Sequence, residues 1–505
     1  MIDNITFSSE LSSRRIVKVA LHYLSAGSTI YRYGYNIGNV SRSFLPGETI
    51  LPADIEPAAI TESDILNNMW DPEECQSLQI QWESIKLAYD SISRSLPDLF
   101  LYELDHSHNV PVSGSWATRL SLLILPTVNC AAHVADKISS GINLQLPGNI
   151  TSVLEQDHIK IFSLPHHTGC GLDRASQKYS VLTEYFAKLV LSPNITHVIL
   201  VSLGCEDLQP SMLIDRYPQI KTKTTVLCIQ EEGGTQAAIV KGVETGIKIC
   251  NEISTKYRRT KAPYSSLRLA LQCGGSDAMS GLTANPLLGL VSDFFISQGS
   301  QSIVAETPEL YGAFRNLYPR CASRSVQAKL QNIFHHWLCG NSLDPSANPA
   351  PGNLYGGLSN SIEKSLGSAQ KTGFAPISDV CQYGGSDTTA KSGLVLMDTP
   401  GYDPVSATGQ LLAGSNFLIF STGRGSCFGL NPLPTIKVSS NSYIFNHYDG
   451  EIDFNASEFS KSTSQLLLTQ LLKLIIMTAS GLPSSAERLG YGSNEIVFWL
   501  ESGVN

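Results

Sequence analysis

The chain has 505 residues, 42% of them hydrophobic and 16% charged, with a net charge of −9. That balance suits a globular chain of two to four domains and excludes a disordered one. No dense Lys/Arg block occurs, so nucleic acid is not an expected partner.

Residues 1–57 read as a small all-β module. Short β-rich runs alternate with turns at Ala26–Gly27, Asn36–Asn39 and Pro46–Gly47. The opening stretch lacks the apolar run and cleavage site of a signal peptide, so a cytoplasmic protein is expected. Residues 58–111 form a polar, acidic stretch with "EECQSLQIQWESIKLAYDSI" as a helix. It reads as a linker that buries little.

Residues 112–335 read as an α/β domain. The strand candidates are "SLLILPTVNC", "IKIFSLPHHTGCG", "THVILVSLGCE", "KTTVLCIQEEGGT" and "LRLALQCGGSD". Helical stretches such as "RASQKYSVLTEYFAKLVLS" lie between them, and the alternation predicts a mostly parallel sheet covered by helices. Residues 336–505 form a second α/β domain, with "SGLVLMDTP" and "SNFLIFSTGRGS" as strands ending in glycine-rich turns. The apolar stretch "SQLLLTQLLKLIIMTASG" carries Gln465, Gln470 and Lys473 and is too short and polar to span a bilayer. It reads as a core helix, and no membrane partner is expected.

Ligands in open α/β sheets bind outside the carboxyl ends of the strands. Four strand candidates end at Cys130, Cys170, Cys205 and Cys273, beside small or polar residues. If those strands are neighbours, the thiols share one rim. Eleven scattered cysteines without a CxxC pair fit free thiols, metal ligands or redox groups in a reducing compartment. A single such cysteine more often fills space; four at equivalent positions point to a metal or catalytic role for at least two, with iron or zinc suited to thiolates. Cys75, Cys250, Cys321 and Cys339 lack this context and read as structural.

His166 and His167 stand beside Cys170, where an imidazole can act as base or ligand, or simply bond to backbone. Glu206 and Asp277 could ligate a metal or orient a histidine; capping the following turn is the ordinary alternative. Gly233 and Gly234 precede a helix whose start is either capped by Thr235 or an anion site. Arg424, between two glycines after a strand, could clamp a carboxylate or brace its loop. Lys437 could assist the same anion or lie on the surface.

Together, "LPTVNC", "HTGCG", "LGCE", "QEEGGT", "LQCGGSDAMSGLTANP", "AETPELYGA", "NPAPGN", "EKSLGSAQKTG", "MDTPGYDPVSATGQ", "FSTGRGS", "IDFNA" and the terminal "NEIVFWLESGV" resemble the altronate/galactarate dehydratase family, closer to its altronate branch. The likeness runs from Leu122 to the C-terminus, and the N-terminal module resembles that family's small SAF-type β-clip domain. The resemblance implies a hydro-lyase that removes water from a sugar acid or related hydroxy acid, giving a 2-keto-3-deoxy product. It also implies a divalent metal, ferrous iron first and Mn2+ or Zn2+ otherwise.

On motif matches it implies catalytic roles for His167, Glu206, Arg424 and Lys437 and metal ligation by Cys130, Cys170, Cys205 and Cys273. Substrate contacts are implied at Gly274, Ser276, Asp277, Asn285, Asn353, Thr422 and Arg424. The expected partner is a small hydroxy acid, with homo-oligomerisation open. Departures exist: the module's "SSRRIVKVAL" and "GETILPADIEP" carry no histidine where the family typically has one, and "VSGSWATRLS" keeps Arg119 but has Leu120 where the family has asparagine. These departures leave room for a related lyase on another acid, such as a sulfonated one, or for a catalytically silent acid-binding relative.

Overall fold

The computed structural model describes residues 3, 5–10, 15–68, 70–104, 116–146, 160–340, 348–385, 387, 388, 390–493 and 496–499. Parts of "SSRRIVKVAL", "VSGSWATRLS" and "NEIVFWLESGV" lie outside them.

The N-terminal strands β1 (Ile5–Glu10), β2 (Arg15–Ala20), β3 (Thr29–Arg32), β4 (Tyr35–Val40), β5 (Thr49–Ile50) and β6 (Ile55–Pro57) form two antiparallel sheets, ordered β1-β2-β5 and β3-β4-β6. The turn expected at Asn36–Asn39 is part of β4. The reversal comes earlier, at Tyr33 (φ 53°) and Gly34 (φ 79°), two consecutive left-handed residues of the kind that match the twist of a hairpin. Asparagine and glycine inside a strand misled the reading; Gly38 is there because a Cβ would lie 2.2 Å from the Glu56 carbonyl oxygen.

Residues 58–111 are not a loose linker where they are described. The helix Pro72–Ser93 starts at the Asp71 cap and buries Trp82 and Tyr89. Tyr89 meets the Phe294 ring edge-on at 6.0 Å, so this helix belongs to the main core. Strand β7 (Leu99–Glu103) follows and pairs with β8 (Trp116–Ala117).

Strands β9 (Ser121–Pro126), β10 (Lys160–Ser163), β11 (His197–Ser202) and β12 (Thr224–Cys228) form a parallel sheet in the order β10-β9-β11-β12. Strand β9 is buried throughout, as an apolar run covered on both faces should be. Strand β13 (Arg259–Ala262) returns to pair antiparallel with β7.

A second parallel sheet contains β14 (Arg268–Cys273), β15 (Gln301–Val304), β16 (Ile377–Cys381), β17 (Gly393–Met397), β18 (Phe417–Thr422), β19 (Thr435–Ser439) and β20 (Phe454–Asn455), ordered β16-β17-β15-β14-β18-β19-β20. Strand β14 pairs with β15 and β18, so a division at residues 335/336 would cut this sheet. The break between sheets falls before residue 268. Alternation alone could not show this, because a buried strand looks the same in either sheet. The apolar helix Ser464–Ala479 packs into the core, and no helix among the described residues is long and apolar enough to cross a membrane.

Arg119 ties the two halves together. Its guanidinium, almost fully buried, donates to Glu487 at 2.7 and 3.0 Å and to the Leu482 carbonyl at 3.0 Å. Burial alone would raise the Glu487 pKa, but Arg119, Lys160 and the Ser484 N–H outweigh it and pull it down from 4.5 to about 2. The folded pKa is depressed, so this stabilisation is complete above about pH 4.5 and is lost as pH falls toward 2. Glu487→Gln should leave Arg119 buried without a counter-charge and cost about 3 kcal/mol, read by urea unfolding at pH 7. The variant's loss relative to the parent should shrink below pH 4.5.

Candidate active site

The carboxyl edge of the seven-stranded sheet gathers charge that its apolar strands could not tolerate without pairing. Glu306 follows β15 and is buried at φ +64°, a left-handed conformation that a non-glycine residue adopts only when its surroundings enforce it. The Lys371 ammonium donates to Glu306 Oε2 at 3.0 Å, and the Cys273 N–H donates to the same oxygen at 3.3 Å. Lys364 donates to Glu309 Oε1 at 2.6 Å and to Asn348 Oδ1 at 3.0 Å. Glu306 Oε1 and Glu309 Oε2 are buried without a hydrogen-bond partner among the described residues. Such atoms are costly unless a ligand completes them.

Asp403 starts the helix Asp403–Leu412 after β17. Its carboxylate is 3.3 Å from where a Cβ on Gly274 would lie, which places it over the end of β14. Burial, then Glu306 and Glu309, push its pKa well above the usual carboxylate range. Burial also raises Glu306, against the opposing pull of Lys371. For Lys364 and Lys371 burial acts downward, but the glutamates prevail and both stay raised. The site therefore sets two lysines whose charged form is favoured against Glu306 and Glu309, beside an aspartate whose protonated form is favoured.

Arg424 follows β18 on the same edge. Its guanidinium carbon is 5.2 Å from the Tyr355 ring centre, and among the described residues it makes no ion pair. Gly275 gives it room, since a Cβ there would lie 2.9 Å from Arg424 Cβ. Thr422 Oγ1 accepts from the N–H groups of Arg424 (3.3 Å) and Gly425 (3.1 Å) and so shapes the turn. Lys437 differs from expectation. It is fully buried and donates to the Ser426 carbonyl at 2.8 Å, so it braces the Arg424 loop from β19.

The remaining residues on this edge support the turn after β14. Asp277 is a turn brace: its Oδ1 accepts from the Ser280 N–H (2.7 Å) and the Ser440 hydroxyl (2.8 Å), and its Oδ2 from Asn441 (2.9 Å). Asn285 bonds to the Gly367 carbonyl (3.0 Å) and the Ser421 hydroxyl (2.7 Å), and Asn353 donates to the Ser276 carbonyl at 2.8 Å. The Ser276 hydroxyl lies 2.9 Å from Cys273 Sγ. A Cβ on Gly274 would meet the Phe420 ring at 2.2 Å, so only glycine fits there.

The other expected residues belong to the four-stranded sheet. Cys130, His167, Cys170 and Cys205 are exposed on the loops after its strands. Glu206 is buried and consumed: its Oε1 accepts from Thr127 at 2.6 Å and its Oε2 from the Gly204 N–H at 2.8 Å. His167 Nδ1 lies 3.3 Å from Asn129 Nδ2. Cys273 is buried in the other sheet, so the four cysteines do not form one rim. Among the described residues, the one group of three ligand-capable atoms within 4.8 Å of each other is Glu62, His335 and Cys339, on the surface.

The sequence reading missed Glu306, Glu309, Lys364, Lys371 and Asp403 as site residues. Their signal was present: each is a charge within "AETPELYGA", "EKSLGSAQKTG" or "MDTPGYDPVSATGQ", where Glu363 and Asp398 are the other charges.

The N-terminal module reaches this site from behind. Lys18 is buried, pairs with Glu363 at 2.9 Å and donates to the Gly357 carbonyl; Arg32 lies 3.8 Å from the same glutamate. Glu363 is the neighbour of Lys364 on the helix Ser361–Ala369. Docking of the module thus fixes the helix that aims Lys364. Lys18→Met should lower kcat about tenfold with a smaller change in KM, because small displacements of a positioning group are costly; equal turnover in the folded variant would contradict this role.

Paired carboxylates and lysines, with a guanidinium unpaired among the described residues, make this sheet edge a candidate acid–base site. A family model described as the second domain of D-galactarate dehydratase/altronate hydrolase matches residues 112–254, and one for the C-terminal domain of D-galactarate/altronate dehydratase matches residues 264–503. The altronate dehydratase of Bacillus subtilis (strain 168) is 30% identical, covering 92% of this chain and 87% of that protein. The altronate dehydratase of Escherichia coli (strain K12) is 31% identical over 74% of each chain. The L-threo-forming galactarate dehydratase of the same strain is 30% identical, covering 92% of this chain and 85% of that protein. The chain belongs to the altronate/galactarate dehydratase family.

Proposed function

We propose that the protein is a hydro-lyase that dehydrates a sugar acid of the altronate or galactarate class at the carboxyl edge of the seven-stranded sheet. The observation that carries this is the juxtaposition of Glu306–Lys371, Glu309–Lys364 and Asp403, whose protonated form is favoured. Glu306, whose ionised form Lys371 and the Cys273 N–H support against burial, takes the proton α to the substrate carboxylate. Arg424 holds that carboxylate bidentately, and with Lys364 and Lys371 it stabilises the enediolate charge. Asp403 gives its proton to the departing β-hydroxyl. The resulting enol ketonises by taking a solvent proton at C3.

The unpartnered oxygens of Glu306 and Glu309 are hard donors of the type a divalent metal prefers. Bound there, a metal would supply Lewis acidity toward the carboxylate and the leaving oxygen. The buried cysteine on this edge is held by Ser276, and the three exposed cysteines sit on another sheet, so the carboxylates are the better candidates.

The test is a keto-acid assay with altronate and D-galactarate, with ferrous iron supplied. Turnover of at least one is expected. Turnover of neither, with metal bound and the fold intact, would overturn the reading. The rate should fall at low pH as Glu306 protonates and at high pH as Asp403 loses its proton.

A further inference from the structure

The four-stranded sheet carries a group of thiols that the proposed reaction does not use. Cys130, Cys170 and Cys205 follow β9, β10 and β11, which are neighbours in the order β10-β9-β11. Adjacent strands lie ~4.8 Å apart, so the loops after them share one sheet edge.

These loops are locked to one another. The Asn129 N–H donates to the Thr168 carbonyl at 3.1 Å, and its side chain donates to the His166 carbonyl at 3.0 Å. The N–H groups of Asp207 and Leu208 both donate to the Gly169 carbonyl at 3.1 Å. Glu206 joins the first loop to the third through Thr127 and Gly204. Gly169 (φ +107°) is obligatory, because a Cβ would lie 2.1 Å from the Thr127 carbonyl oxygen. Gly171 (φ +69°) faces open space, so Cys170 is presented between two left-handed glycines. Asn129 and Glu206 are spent on this bracing. The rim's three thiols are exposed and make no hydrogen bond among the described residues.

Thiolates in this number select zinc or iron–sulfur chemistry. The three sulfurs are not all within 4.8 Å of one another. A single tetrahedral zinc with bonds of ~2.3 Å requires its sulfurs about 3.8 Å apart. At least one sulfur pair is therefore wider than a single zinc requires, which leaves a larger group as the candidate occupant.

We propose that Cys130, Cys170 and Cys205 hold a four-iron iron–sulfur cluster, with its fourth iron free of cysteine. On transfer of a preformed cluster, each thiol releases its proton to buffer and each sulfur replaces one exchangeable ligand on an iron. Three iron–sulfur bonds form as three iron–ligand bonds break, the displaced ligands leave to solution, and no electron is transferred.

The experiment is anaerobic incubation of the full chain with a preformed, thiol-ligated four-iron cluster. Iron, acid-labile sulfide and visible absorption are then measured after desalting. About four iron and four sulfide per chain are expected, with absorption that bleaches on reduction. Cys130→Ser, Cys170→Ser and Cys205→Ser should each retain less than a tenth of the cluster at unchanged melting temperature, whereas Cys427→Ser, at another exposed cysteine, should retain it. Uptake below one iron per chain by the parent, full uptake by the three rim variants, or one zinc per chain excluding the cluster would each overturn the proposal. The readout does not involve turnover, so its failure leaves the proposed reaction standing.

Discussion

Asp403→Asn should lower kcat about a thousandfold while leaving the melting temperature nearly unchanged. The two halves of that result have one cause. Burial and the neighbouring Glu306 and Glu309 push the Asp403 pKa well upward, so the neutral form of the native side chain is favoured. Asparagine matches that neutral group in shape and in hydrogen-bonding capacity, so no buried charge is stranded. It has no proton to give to a leaving hydroxyl. General acid catalysis contributes on the order of 10²–10⁴ in rate, and the thousandfold loss corresponds to about 4 kcal/mol. A structural Asp403 would show the reverse, lower stability with normal turnover in the folded fraction. The alkaline limb of the pH–rate profile should also disappear in the variant.

Arg424→Ala should lower kcat/KM about a thousandfold as well, and Arg424→Lys more than tenfold. The guanidinium is half-buried over Tyr355 and unpaired among the described residues, so it is available to an anion. Its planar fork can grip both oxygens of a carboxylate, and an ammonium cannot reproduce that geometry. As the α-proton leaves, negative charge grows on those oxygens, so the grip tightens in the transition state. A loop-bracing arginine would instead lower the melting temperature with near-normal turnover. The brace on this loop is already supplied by Lys437 through the Ser426 carbonyl. Unchanged kcat/KM in well-folded Arg424→Ala would remove it from the site.

Much of this was legible in the chain. The runs ending at Cys130, Cys205, Cys273 and Arg424 are strands followed by turns, because an apolar run that stops at glycine and polar residues has few other solutions. What could not be read was partnership. Strand β14 pairs with β15 and β18 through contacts about 30 and 150 residues away in sequence, and periodicity carries no information on that choice. Cys273 was therefore grouped with the wrong sheet. Asp277 and Glu206 looked like ligands because a carboxylate after a strand can be either ligand or brace. Only the hydrogen bonds to Ser280, Asn441, Thr127 and Gly204 separate the two. Lys364 and Lys371 were passed over because a lysine in a helix usually lies on the surface, whereas here both are buried by pairing with glutamates that arrive from another segment.

The most direct measurement follows proton removal itself. Whichever of altronate and D-galactarate is turned over is incubated in D2O with the parent protein and with Glu306→Gln, and C2–H and the keto-acid product are followed by NMR. The parent should form a 2-keto-3-deoxy acid carrying one solvent deuterium at C3. The folded fraction of Glu306→Gln should give neither product nor exchange at C2. Product formed by that variant at the parental rate would show that the α-proton is taken elsewhere and would contradict the assignment of this sheet edge as the active site.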